Sequence, residues 1–230
     1  MEKKINAEKL YHQGTDYQFE NPELLLGPWT SYSMMNDPKH MCFVLARYKF
    51  CAKMLEGKKD ILEVGCGDGF GLPIVASMVN KVYAADWDER LLQNIQKRSA
   101  YLENVEYIHH DFNKGTISTI NNIDAIYAID VIEHIEPSNE DNFMRNMLKC
   151  ISNKESGIMI LGTPNITASA YASERSAVQH CNLKSISSLK ELMQKYFYNV
   201  FMFGMNDEVV HTGYAPMCHY IWGVGAGVRI

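Results

Sequence analysis

The sequence predicts an α/β fold, a mostly parallel sheet of seven strands with helices on both faces. Three observations carry that reading. Between residues 41 and 162, short apolar runs alternate with stretches of helical period, which is the rhythm of βαβ units. The runs IYAI and IMIL are apolar at every position, as strands covered on both faces require. Four glycines fall within the seven residues Gly65–Gly71, just after the first apolar run. A strand opening into such a turn marks the edge where α/β sheets hold ligands.

The elements follow in order. Residues 1–39 are polar and aromatic, with turn signals at Asn21-Pro22, Gly27-Pro28 and Asp37-Pro38. They read as an N-terminal lid or cap, whose Tyr11, Tyr17, Phe19 and Trp29 could exclude water from a site. Residues 40–230 read as one domain. A helix over Met41–Leu55 places Phe43, Ala46, Phe50 and Met54 on one side. Asp60–Val64 is the first strand, Leu72–Val79 a helix and Lys81–Asp86 the second strand. Asp88–Ala100 is a helix with Leu91, Leu92, Ile95 and Ala100 inward, and Val105–His110 and Ile123–Ile129 are strands three and four. A helix over Glu140–Ile151 leads to the fifth strand, Gly157–Gly162. Ser185–Phe197 is a last helix, and Asn199–Phe203 and His219–Val224 are terminal strands completing a sheet of seven.

Composition narrows the function. The chain has 230 residues, 47% of them hydrophobic, and a formal net charge of −5. That balance disfavours a nucleic-acid partner or an anionic membrane surface and leaves a small-molecule substrate as the expectation. No run approaches 18 apolar residues, so no membrane span is expected, and no signal-peptide pattern opens the chain. Six scattered cysteines without a C-x-x-C pair suit reduced thiols and a cytoplasmic location. Oligomeric state is open, and a homodimer is compatible with everything read here.

The glycine turn poses the chemical question. A dinucleotide fingerprint needs glycine at the sixth position from Gly65, and Phe70 stands there; no Gly-Lys-Ser/Thr closes a P-loop. Glu63 and Asp68 flank the turn and would repel a phosphate. A ligand with a cationic end suits them better. Asp86 ends the second strand at the place of a ribose-gripping acid. A nucleoside carrying an ammonium and a sulfonium meets both demands.

These residues carry a family resemblance. ILEVGCGDG, YAADWDE, HHDF and AIYAIDVIEHIEP resemble, in order and at suitable spacing, the four motifs of class I S-adenosylmethionine-dependent methyltransferases, which share a Rossmann-like sheet. IDVIEHIEP and LGTPN are similar to the branch of ubiquinone-pathway O-methyltransferases and related sugar and natural-product enzymes. The resemblance covers residues 55–165. It implies Glu63, Gly65, Cys66 and Gly67 as the wall for the methionine part of the cofactor. It further implies Asp86 on the ribose, Trp87 on the adenine, Asp111 and Phe112 around the adenine amine, and Ile129 and Asp130 beside the sulfonium. Arg47 is placed, by position alone, near the cofactor carboxylate. Plainer readings stand beside these: a bare strand-to-helix turn for the glycines, a helix cap for Asp86, core for Trp87, a structural role for Arg47.

The implied reaction moves a methyl group to a hydroxyl of a small polar metabolite or sugar intermediate, as in surface-polysaccharide or natural-product biosynthesis. Transfer to nitrogen and a catalytically silent cofactor-binding sensor or partner subunit are the alternatives. His134 follows the fourth strand and is the expected general base, with a neutral-range imidazole; Glu133 is grouped with it. Asp130, Glu133 and His134 also have the i, i+3, i+4 spacing that gathers two oxygens and a nitrogen on a helical turn. That donor set suits a divalent metal such as magnesium or manganese, and the matching cluster of ubiquinone-type enzymes implies the same. His180 reads equally as pocket or loop, and structural roles are expected for one or both of His109 and His110, and for His211 and His219.

Overall fold

The computed structural model describes residues 6–19, 23–120 and 122–229, the side chains of 16–19 and 175 excepted. The expected turn at Asn21-Pro22 and the side chains of Tyr17 and Phe19 therefore lie outside the described residues. Strands β1 (Asp60–Val64), β2 (Lys81–Asp86), β3 (Val105–His109), β4 (Ala125–Ile129) and β5 (Ile158–Pro164) form the parallel half of one sheet. Strands β6 (Phe197–Asn206), β7 (Val209–His211) and β8 (Tyr220–Val228) extend it antiparallel, in the order β3-β2-β1-β4-β5-β8-β6-β7.

The sheet has eight strands where the sequence predicts seven. The extra strand, β7, has three residues and closes a hairpin on β6 through Asp207, which takes a left-handed φ of 48°. A run so short has no readable alternation. Strand β6 also runs for ten residues where five are expected, because pairing with β8 along its length overrides its mixed polarity.

Helices cover both faces. On one, α3 (His40–Met54), α4 (Leu72–Ala76) and α5 (Glu89–Arg98) pack Tyr48, Cys51, Leu72, Val75, Leu92 and Ile95 onto Ile61, Val82 and Tyr127. On the other, α6 (Glu140–Leu148) and α8 (Ile186–Gln194) bring Phe143, Met144, Met147, Leu189 and Met193 against Leu62, Ile126 and Leu161. The helix starts are set by caps: the Asp88 carboxylate accepts from Arg90 N, and Ser185 with Ser188 forms a reciprocal box at α8. Two further helices, α1 (Ala7–Phe19) and α2 (Pro28–Asn36), precede the sheet, and α7 (Glu174–Gln179) lies between β5 and α8. Because β1 sits between β2 and β4, their carboxyl ends form the switch point of the sheet.

Candidate active site

The glycine turn after β1 is a left-handed backbone path. Gly65 and Gly67 have φ of 76° and 57°, a region side-chain-bearing residues rarely adopt. A Cβ on Gly65 would also lie 2.4 Å from Val131 Cγ2, and one on Gly67 would lie 2.9 Å from the Trp29 ring. Asp86 fixes the path: its Oδ2 accepts from Gly67 N and its Oδ1 from Asp88 N, each at 2.9 Å. Each oxygen keeps lone-pair capacity for a further donor. Burial raises the Asp86 carboxyl above the usual aspartate range.

Helix α2 is fastened over this turn by Asp68. Its carboxylate accepts from Thr30 N at 2.8 Å and Thr30 Oγ1 at 3.0 Å, an N-terminal cap supplied from 38 residues away in sequence. Arg98 reinforces it from α5, donating to the carbonyls of Asp68 and Leu25. Thr30→Val is expected to loosen α2 locally by about 1 kcal/mol. The check is faster amide hydrogen exchange in Pro28–Asn36 with unchanged exchange in β1.

Two cavities flank the switch point. One of about 230 Å³ is lined by Trp29 and Thr30 of α2, His40 and Tyr48 of α3, the turn from Gly65 to Asp68, and Ile129 and Asp130 beyond β4. The other, about 270 Å³, lies between Trp87, His109, His110, Asp111 and Lys114. Cys66 faces the first cavity with its thiol pushed well up by burial, a poor nucleophile.

The remaining predicted residues lie elsewhere. Glu63 is buried beneath the turn, where Tyr127 OH donates to its Oε2 at 2.7 Å, and it lines neither cavity. Phe112 packs in the core against His110 and Phe143. Arg47 is buried, pairs through Nη1 with Asp130 Oδ2 at 2.6 Å, and lies 3.9 Å over the Tyr220 ring. His109 and His110, on the wall of the second cavity, each place Nε2 2.9 Å from a backbone carbonyl, those of Trp87 and Gly115.

Burial raises Glu63 from 4.5 to about 7. A carboxyl that binds its proton more tightly when folded stabilises the native chain most at low pH. Its contribution is present below pH 4.5 and is lost as pH climbs through about 7. Glu63→Gln should therefore flatten the fall in urea midpoint that wild type shows between about pH 4.5 and about pH 7.

The segment after β4 corrects one expectation. Asp130, Glu133 and His134 do not share a helical turn. Asp130 takes a left-handed φ of 55° and the single 3₁₀ turn covers only Ile132–His134. Asp130 therefore points to Arg47 and leaves the predicted metal triad. His180 takes the third place: donor atoms of Glu133, His134 and His180 all lie within 4.8 Å of one another. The two imidazole rings stand 5.1 Å apart, and His134 Nδ1 lies 3.1 Å from the Gln179 carbonyl. Glu133 is fully buried and its Oε2 accepts from Thr163 Oγ1 at 3.0 Å, while Oε1 is buried without a hydrogen-bond partner. Its main-chain carbonyl accepts from Cys181 N and Asn182 N, which ties the loop carrying His180 to this turn. Burial, and then the Asp130 charge, push the Glu133 carboxyl upward. A buried carboxylate with an unfilled oxygen beside two imidazoles fits a divalent cation of borderline hardness.

Residues 61–154 match the family described as Methyltransferase domain. The methyltransferase domain of bacterial CtHen1 superposes with a TM-score of 0.64 at 16% identity, covering 81% of this chain and 98% of that one. This is a class I methyltransferase fold. A phosphoethanolamine N-methyltransferase of Haemonchus contortus, solved with phosphoethanolamine and S-adenosylhomocysteine, matches it with a TM-score of 0.66 at 13% identity, over 96% of this chain and 50% of that one. In sequence, a probable S-adenosylmethionine-dependent methyltransferase of Mycobacterium tuberculosis is 27% identical over 107 residues, 46% of this chain. The chain spans about a third, 36%, of the length of that relative.

The two cavities and the Asp86-braced turn together make up the candidate site at the carboxyl ends of β1, β2 and β4. Sequence reasoning missed two parts of it. His40 opens α3 directly after the Asp37-Pro38 turn, and only that turn signal marked its place. Thr30 becomes a partner of Asp68 through a contact between distant segments that no local pattern encodes.

Proposed function

We propose that this chain transfers a methyl group from S-adenosylmethionine to a hydroxyl of a small polar metabolite or sugar intermediate. The observation that carries the reading is the glycine turn held open by Asp86, leading into a cavity that ends at Ile129 and Asp130. In this reading Gly65, Cys66 and Gly67 back the methionine part, Asp86 receives the ribose hydroxyls, and Trp87 and Asp111 border the adenine in the second cavity. Ile129 and Asp130 meet the sulfonium, whose positive charge the Asp130 carboxylate favours. The cofactor supplies an electrophilic methyl carbon, and the chain's task is to align an acceptor behind it and exclude water. Trp29 and Thr30, from the segment read as a lid, already close one wall.

The donor set of Glu133, His134 and His180 favours a second element of the reading. These residues would hold a divalent cation such as magnesium or manganese, which lowers the pKa of an acceptor oxygen bound to it. Without the cation, His134 Nε2 would serve as the base, a role supported by Nδ1 lying 3.1 Å from the Gln179 carbonyl. Transfer to nitrogen would use the same site, and a silent cofactor-binding subunit only its cofactor half. Among the described residues no helix is long and apolar enough to cross a membrane. All six cysteines are free thiols, which supports a reducing, cytoplasmic setting.

Incubation with labelled S-adenosylmethionine and a metabolite pool is expected to yield S-adenosylhomocysteine and a labelled small molecule. Cofactor binding without any turnover would favour the silent subunit. His134→Ala should slow turnover by about 10²-fold or more and leave S-adenosylhomocysteine binding intact. A chelator should abolish turnover, and magnesium or manganese restore it, if the cation reading holds.

A further inference from the structure

We propose that His40 faces the transferred methyl group and takes the proton that the acceptor hydroxyl releases. The proposal rests on the methyl-transfer reading above and supplies a base for the case in which His134 holds a cation. If His134 is a metal ligand, its nitrogen is not free to move a proton.

Position argues first. Among the described residues, His40 is the only histidine on the wall of the cavity that Gly65, Gly67 and Asp130 also line. His134 and His180 line neither cavity and stand against each other, ring centres 5.1 Å apart. His40 is held there by an edge-on contact with Phe43, ring centres 4.5 Å apart, and Phe43 in turn packs against His219.

Electrostatics argue second. His40 is half-buried on the first turn of α3, where the helix dipole disfavours a cation. Burial first, then the Arg47 guanidinium and His219, lower its pKa, against opposing pulls from Asp130 and Asp37. The imidazole is thus neutral and able to accept a proton at pH 7. Once charged, it has Asp37 and Asp130 as neighbouring carboxylates.

The step balances. The acceptor oxygen forms a bond to the methyl carbon as the carbon–sulfur bond breaks, its electron pair returning to sulfur to give neutral S-adenosylhomocysteine. The hydroxyl proton passes to the His40 imidazole and then to water.

Proton NMR titration of the histidine rings tests this without a known acceptor. The chain has eight histidines, and the His40→Gln spectrum assigns the resonance. S-adenosylmethionine and S-adenosylhomocysteine differ by the methyl group and its positive charge. A ring facing the methyl should titrate about one pH unit lower with the former than with the latter. That difference at His40, and not at His134 or His180, is the expected result. Equal titration in both complexes, or a response confined to His134, overturns the proposal while the cofactor reading stands. Absence of binding heat with either compound overturns both.

Discussion

Asp86→Ala is expected to weaken S-adenosylhomocysteine binding by roughly 10²–10⁴-fold, measured by calorimetry. The magnitude is that of the two charge-assisted hydrogen bonds to ribose hydroxyls proposed for Asp86, each contributing about 1.5–3 kcal/mol. The same carboxylate anchors the amides of Gly67 and Asp88, so its removal also frees the turn proposed to back the methionine part. Asp86→Asn should fall between wild type and alanine. Its amide keeps one accepting oxygen but presents a donor to one of the two N–H groups. Wild-type affinity in the alanine variant would reduce Asp86 to a brace for the turn and remove it from the cofactor site.

Arg47→Met should lower stability by about 2–4 kcal/mol, read from the urea midpoint. Methionine keeps much of the volume under the Tyr220 ring, so the loss reports chiefly the charge left on Asp130. Stripping one partner from a fully buried ion pair costs about 3–5 kcal/mol. The Asp130 side chain is 37% exposed, so water screens part of that. Adding Asp130→Asn to Arg47→Met should recover a good share of the loss, because the stranded charge disappears. No recovery would mean that the guanidinium acts through packing over Tyr220 alone.

Much of this was legible in the chain. β1 and β2 occupy the spans their apolar patterns define, since each is a short run closed by turn residues. α5 is marked by the strong separation of Leu91, Leu92 and Ile95 from its charges and by the Asp88 cap. The helix after the glycine turn ends at Ala76, three residues before the expected Val79, because local propensity marks no stop there. In the site, the glycines and Asp86 were visible because special backbone angles and strand ends leave residue-type signatures. The fate of Asp130 was not. Its spacing to Glu133 and His134 suits a helix, but a left-handed φ at a non-glycine residue has no signature in sequence, and it redirects the carboxylate to Arg47. The contribution of His180 depends on the Glu133 carbonyl gathering a loop more than 40 residues onward, a long-range contact beyond any local pattern.

The seat of Trp29 over Gly67 has a practical outcome. Of the three tryptophans, Trp222 is sealed in the interior as a constant emitter, while Trp29 and Trp87 stand at the two cavities. The molecule thus carries its own fluorescent gauge at each cavity, and comparing Trp29→Phe with Trp87→Phe tells which of the two fills first.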